Sequence, residues 1–514
     1  MTGTVPGPLV DPLLDPRTPV LVGVGQVSER LDSPGYQGRS PVSLAADAAR
    51  VALDDAGVAA SEIDTIAVVP QFEISLPWAV PLLGASDNPP RSIAARIGAS
   101  PRRAVLEVGG GQAPQHLVNE FAGAIAAGDA SVVLLAGSEA ISTITQALSS
   151  ESRPDFGESP GGSLEARGHG LDGIVSPHHV AHGLSDTPSQ YALIDNARRA
   201  RLKMSRAEYA AAIGDLFSPF TTVAAANPHA AAPVFRDAAT LVTPSAANRP
   251  LADPYTRYVV AREKVNQGAA LLLMSVESAR RLGVPAEQWV YLAGHADLRE
   301  RTMIERASYG SSPAAARAAQ HALSLAGIAA SDLTAIDLYS CFAAPVFIVA
   351  EALGVATDDP RGLTVTGGLP FFGGPGNNYS MHAIASMTSL LRARPGTYGF
   401  VGANGGIMSK HSTGVYTTVP HAFRPSDSAR IQADLDAVAA PGEALSASGP
   451  AVIETYTVKH GRDGSQEGIV LGRLRDDGRR FVARADAILD LLTTGEPIGA
   501  DVVVRSTGDG NEVT

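Results

Sequence analysis

The chain has 514 residues, 45% of them hydrophobic, and 40 Lys and Arg against 52 Asp and Glu give it a net charge of -12. That length exceeds what one core covers and predicts two or three domains, while the acidic balance without any basic run argues against nucleic acid or an anionic membrane as the main partner. The single cysteine, Cys341, excludes an internal disulfide and a multi-cysteine metal site, and no metal is expected.

Residues 1–19 read as a proline-broken arm. They lack a basic stretch followed by an apolar core, and no uncharged apolar run elsewhere is long enough to span a membrane, so a soluble cytoplasmic protein without a membrane partner is expected. Order begins with VLVGVG, residues 20–25, a buried strand. Residues 43–56 follow as a helix that Ser43 can cap and Gly57 can end in the left-handed conformation, and residues 63–69 form the next strand. Residues 104–108 are apolar and β-branched, Gly109 to Gly111 lets the chain turn, and Leu117, Phe121, Ala124 and Ile125 recur at helical spacing before Gly128. Residues 132–136 then run apolar without alternation, as a strand covered on both faces does.

The helix and strand return later. AGVAASEIDTIAV at 56–68 recurs as AGIAASDLTAIDL at 326–338, an offset of 270, and VYLAG at 290–294 stands where the first strand stood. A strand-helix-strand repeat at that distance predicts two similar α/β halves packed as a pseudo-dimer. Between them, residues 150–280 are rich in Gly, Pro and Ser, with His178, His179 and His182 expected on a solvated loop and a helix at 204–217. The second half ends in a strand at 398–403. After residue 419 a linker leads to β-type runs at 451–460, 468–474, 480–486 and 501–506, which fit a small antiparallel barrel acting as an independent module.

These segments resemble the thiolase superfamily, whose nucleophile strand, turn and helix match residues 103–128 and whose Gly-Gly-x-Glu matches AGSEA at 136–140. ANPHAAAP at 226–233 and NQGAALLLMS at 266–275 are similar to segments of the sterol-carrier-type thiolases. The resemblance implies the five-layered α-β-α-β-α thiolase fold, with halves at 18–280, including an inserted region at about 150–265, and 281–420, and an added barrel at 425–514. The whole chain resembles the actinobacterial thiolase-like proteins of type 1, which are named acetyl-CoA acetyltransferases. A dimer is implied by the family, and the sequence leaves a monomer open.

The family's catalytic groups do not carry over. Gly111, or Gln112 with a one-residue gap, stands where the nucleophilic cysteine would be, Gly374 in GGLPFFGGP replaces the histidine, and Gly402 in GANGG takes the late cysteine's place. Thiolate attack and proton transfer at carbon need groups that glycine lacks. What the resemblance implies is therefore acyl-CoA handling, with a coenzyme A thioester as ligand and nothing bound covalently. The candidate catalytic residues are Tyr339 and Cys341 in YSCF, similar to the His-Asp-Cys-Phe motif of sterol-carrier-type thiolases, with Tyr379 and His382 in PGNNYSMHAI. Cys341 reads either as a proton-handling thiol or as a small buried residue at a helix start. Asn377 and Asn378 could hold a thioester oxygen or cap a helix, and Lys410 and His411 face either a phosphate or water. Tyr339 and Tyr379 also resemble the paired tyrosines of the aldolases built on this fold, which leaves two alternatives: a retro-aldol acyl-CoA lyase, or a non-catalytic acyl-CoA binding protein.

Overall fold

A computed structural model describes residues 14–151, 153–170, 174 and 176–514, so most of the expected N-terminal arm lies outside the described residues. In chain order the first half supplies β1 (Pro19–Ser28), β2 (Thr65–Val68), β3 (Arg103–Leu106) and β4 (Val132–Ala140). The inserted region supplies β5 (Glu165–Ala166), β6 (Pro250–Ala252) and β7 (Tyr255–Thr256), and β8 (Asn266–Ser275) closes the half. The second half supplies β9 (Val290–Arg299), β10 (Leu333–Leu338), β11 (Tyr398–Gly405) and β12 (Lys410–Thr417). The C-terminal part holds β13 (Gly449–His460), β14 (Gln466–Leu474), β15 (Arg480–Arg484), β16 (Asp501–Thr507) and β17 (Gly510–Val513).

The first half orders its strands β3-β2-β4-β8-β1 and the second β10-β11-β12-β9, and the two meet where Val20 pairs with Tyr291. In each half the last strand runs antiparallel to both neighbours, β8 to β1 and β4, and β12 to β9 and β11. The 270-residue repeat is thus a repeat in space. Its two outer helices, Pro41–Ala56 and Pro313–Ala326, both end on glycines in the left-handed region, Gly57 at φ 66 and Gly327 at φ 71, where a side chain would be strained. The first of these helices is capped by Ser40, whose hydroxyl accepts from the Ser43 amide at 3.1 Å, and not by Ser43 as expected. Pro41 can follow because the first helical position needs no amide donor.

Helices Ala113–Ala127 and Tyr379–Ala393 pack against each other between the two halves, and the repeat helices cover the outer faces, which completes the α-β-α-β-α layering. Among the described residues β3 is not an open edge. β5 pairs with it at Val105 and Leu106, and Arg103 holds Glu165 through two hydrogen bonds of 2.9 and 3.1 Å, so the row of backbone donors that would invite another strand is covered.

The C-terminal strands close a five-stranded barrel, with β14 paired to both β13 and β15. The expectation of an independent module differs from what is seen. Lys459 of β13 pairs with Ala252 of the inserted region, and Ile469, Leu471 and Val482 belong to the same core as the thiolase halves. Two of the histidines expected on a solvated loop, His179 and His182, are part of this junction, and His178 is partly exposed. His179 is 5% and His182 1% exposed; His179 Nε2 lies 2.9 Å from Glu443, and the His182 ring accepts from the Asn511 amide at 2.8 Å. Imidazole rings bury readily when their nitrogens are bonded; the barrel supplies a partner to each of these two rings, and His182 Nδ1 lies 2.7 Å from the His178 carbonyl.

Candidate functional site

The turn between β3 and the central helix Ala113–Ala127 brings Gly111 against the second half. A Cβ at Gly111 would lie 2.1 Å from the Tyr339 hydroxyl oxygen and 2.5 Å from the Asn404 carbonyl oxygen, so only hydrogen fits there. The turn is pinned from across the interface: the Gly110 amide donates to Asn377 Oδ1 at 2.8 Å, and the Ser380 hydroxyl donates to the Gly111 carbonyl at 2.6 Å. Asn377 Nδ2 donates to the Pro70 carbonyl and to Ser75 Oγ, both at 2.8 Å. Its amide is fully committed, so Asn377 neither caps the helix Tyr379–Ala393 nor has a donor left for a thioester oxygen. Asn378 occupies the N-cap position without a side-chain capping bond. It is buried, and among the described residues its Oδ1 and Nδ2 have no hydrogen-bond partner.

Tyr339, Cys341 and Tyr379 do come together. The two tyrosine rings meet edge to face at 5.5 Å. Cys341 Sγ sits 3.9 Å from Asn404 Nδ2. The Tyr379 hydroxyl lies 2.7 Å from Thr366 Oγ1 and donates to Asp337 Oδ1 at 3.2 Å. Burial pushes the Asp337 carboxyl up to about 7, against hydrogen bonds from Val365, Thr364 and Tyr379 that oppose the shift. Burial likewise pushes the Cys341 thiol up to about 12 and the Tyr339 and Tyr379 phenols well above their ordinary range. At neutral pH these groups are a thiol and two phenols, not anions. The free space bounded by Tyr339, Pro345, Asn404, Met408 and His411 is about 10 Å³, so the cluster is packed by its own side chains.

Neither His382 nor His411 supplies a positive charge that would activate the cluster. His382 is fully buried with its Nδ1 2.8 Å from Gln26 Oε1, and burial, then the nearby His229, holds its pKa well below the ordinary value, so it is neutral. Lys410 and His411 are both buried and lie in β12. Lys410 Nζ donates to the Gly170 carbonyl, and His411 Nε2 lies 3.0 Å from the Met408 carbonyl with its pKa lowered by burial to about 4. Both border a cavity of about 860 Å³ that also contains Glu107, His116, Arg167 and Asp297. Glu107, His116 and Glu120 lie close enough there to hold a cation. The Arg167 guanidinium already bridges both carboxylates at 2.5 Å and supplies the positive charge itself.

A group the sequence reading missed lies on the other side of the Gly373–Gly374 turn. The Arg262 carbonyl accepts from the Gly374 amide at 2.9 Å, and the Ala261 amide donates to the Cys341 carbonyl at 3.0 Å, so this segment ties the turn to the cluster. Burial, and then the charges of Arg257 and Arg236, lower the Arg262 pKa. Arg236 lies over the Tyr258 ring at 4.6 Å, and among the described residues none of the three arginines has an acidic ion-pair partner. A cavity of about 470 Å³ is lined by Glu29, Arg30, Asp32, His229, Lys264 and Gln267, and Gln267 Nε2 donates to the Phe372 carbonyl at 2.9 Å, next to the same turn. The three arginines are scattered through the inserted region, and only folding brings their charges together.

Comparison with known proteins agrees with this architecture. The family model of the thiolase-like protein type 1 additional C-terminal domain matches residues 430–509. The crystal structure of a monomeric SCP2-thiolase like protein type 1 from Mycobacterium smegmatis is 48% identical, covers 98% of this chain and 100% of its own, and superposes with a TM-score of 0.84. An Ltp2-ChsH2(DUF35) aldolase, at 19% identity over 78% of this chain and 98% of its own, has a TM-score of 0.57. An acetyl-CoA acetyltransferase from Syntrophomonas wolfei, at 18% identity over 78% and 99%, has a TM-score of 0.55; these two share the fold. No curated protein matches the chain. With nearly half its residues identical over the full length of the mycobacterial protein, and with the added C-terminal domain in place, the chain belongs to the SCP2-thiolase-like proteins of type 1.

Proposed function

We propose that this protein binds a coenzyme A thioester next to the Gly373–Gly374 turn and holds it without forming a covalent acyl-enzyme. The observation that carries the reading is Arg262, whose carbonyl is bonded to the Gly374 amide at 2.9 Å and whose guanidinium feels the charges of Arg257 and Arg236, in a chain of net charge -12. Three guanidinium groups without an acidic partner repel one another, and a polyanion such as the phosphates of coenzyme A relieves that repulsion with charge-assisted hydrogen bonds. The absence of a covalent step follows from Gly111, where the Tyr339 hydroxyl fills the space a nucleophile would need, and from Cys341, whose thiol stays protonated. Calorimetric titration of the full chain with acetyl-CoA tests the binding. Arg262→Gln is expected to weaken it by about tenfold or more, since one bond to a charged group is lost, while the unfolding transition stays where it was. Equal affinity in the variant, or no binding by the wild type at millimolar ligand, contradicts the reading.

A second reading, a retro-aldol acyl-CoA lyase, is favoured by one observation: Tyr379 donates to Asp337, a buried carboxyl poised at about 7, and its ring abuts Tyr339. Carbon-carbon cleavage of a β-hydroxyacyl thioester needs one group to take the hydroxyl proton and another to protonate the enolate. The packed space around Tyr339 makes binding the better supported of the two.

A further inference from the structure

Outside the site, the loop that follows β2 carries a concentration of exposed apolar side chains. Among the described residues fourteen large hydrophobic side chains are exposed, and five of them, Phe72, Leu76, Trp78, Val80 and Leu82, stand on this one loop. Trp78 is 70%, Val80 79% and Leu82 66% exposed. Single exposed apolar residues are ordinary on a protein surface, whereas a contiguous set marks a contact.

We propose that this loop is an anchor that dips into the headgroup region of an electrically neutral lipid surface. Three features point to lipid. From residue 74 to residue 86, ISLPWAVPLLGAS, the chain has no charged side chain, so a neutral interface suits it and an anionic or cationic partner surface gains nothing. The loop bonds part of its own backbone: the Ile74 amide donates to the Gln71 carbonyl, Ser75 to Phe72, Ala79 to Leu76 and Gly84 to Pro81, at 3.1 to 3.2 Å, while Pro77 and Pro81 have no amide hydrogen to satisfy. The remaining amides at the tip need water or headgroup partners, so the loop suits the headgroup region and not the hydrocarbon core. Its exposed residues, Trp, Phe, Leu and Val, include the types that partition to membrane interfaces.

The base of the loop is fixed. The Phe72 amide donates to Glu139 at 2.7 Å, and Ser75 Oγ accepts from Asn377, so the anchor is presented without further folding. An acyl chain tucked beneath the loop is not an alternative, because the space bounded by Gln71, Glu73, Ile74, Gly84 and Phe156 is about 10 Å³. The proposal departs from the expectation of no membrane partner for neutral lipid alone, and it is independent of any coenzyme A ligand.

The chain has two tryptophans, which gives the proposal its own reporter. Trp289 is buried and donates to the Val284 carbonyl at 3.1 Å, so any change in emission on adding lipid comes from Trp78. Phosphatidylcholine vesicles added to the full-length protein should shift its emission to shorter wavelength and carry it down on sedimentation. The double variant Val80→Asp, Leu82→Asp keeps the reporter and alters only exposed positions. It should lose the shift and sediment with vesicles about tenfold less or worse, with an unchanged unfolding transition. No shift at millimolar lipid, or a shift that persists in the double variant, overturns the proposal. So does a blue shift that grows with protein concentration in the absence of vesicles, which would assign the loop to a second copy of the chain.

Discussion

A chain ended at Phe423 is expected to be recovered as aggregate, with no cooperative unfolding transition. The barrel is not an appendage. Removing it strips Ile469, Leu471 and Val482 from the core of the thiolase halves, and each buried aliphatic lost costs about 2 to 5 kcal/mol where the site cannot collapse. It also breaks polar bonds that cross the junction. Asn196 donates to the Tyr456 carbonyl at 3.0 Å, the Leu193 carbonyl accepts from Thr455 at 2.5 Å, and the Arg206 guanidinium donates to the Gly495 carbonyl at 2.8 Å. Arg199, 1% exposed, loses Glu496, and the carbonyls of Ile304 and Arg306 lose Arg480. Together with the apolar surface laid bare, the loss of these bonds is comparable with the roughly 5 to 15 kcal/mol that holds a typical domain folded. Circular dichroism of the soluble fraction checks this; a soluble truncated chain melting at the same temperature as the full one would show the barrel to be separable.

The second large effect is expected at Gly111. Gly111→Ala places a methyl group 2.1 Å from the Tyr339 hydroxyl and 2.5 Å from the Asn404 carbonyl. The phenol belongs to a fully packed cluster and the carbonyl to β11, so neither yields cheaply, and a loss of about 2 to 4 kcal/mol is expected from overpacking. Removing the obstructing ring should return part of it: in a cycle with Tyr339→Ala, the double variant should be more stable than the sum of the single effects by about 1 kcal/mol or more. Urea denaturation of the four proteins reads this directly. A neutral Gly111→Ala would mean that the turn has room for a side chain, and with it for a nucleophile.

Much of the fold could be read before the structure. The offset of 270 was visible because both halves repeat a helix that ends on glycine and runs into a buried strand, and that local grammar survives when little else does. The barrel strands were visible from their alternation, but their docking was not, since a residue facing the thiolase halves and one facing the barrel interior are equally apolar. The site was half legible. Aligning turns by their glycines brought Gly111, Tyr339, Cys341 and Tyr379 into one account, yet that Tyr339 fills the space above Gly111 depends on the packing of two segments more than 200 residues apart. Asn377 looked like a cap or an oxygen ligand because amides at helix starts usually are one or the other. Its actual partners, at Pro70, Ser75 and Gly110, lie in the other half. The arginines at 236, 257 and 262 carried no pattern along the chain, and their repulsion exists only in the folded protein.

The central claim is binding of a coenzyme A thioester without a covalent intermediate. Intact-mass spectrometry of the full-length protein during titration with acetyl-CoA and acetoacetyl-CoA tests it most directly. The account predicts saturable binding with the protein mass unchanged and no acetyl-CoA released from acetoacetyl-CoA and free coenzyme A. An added acyl mass on the chain, or turnover at about 1 per second or faster, would contradict it.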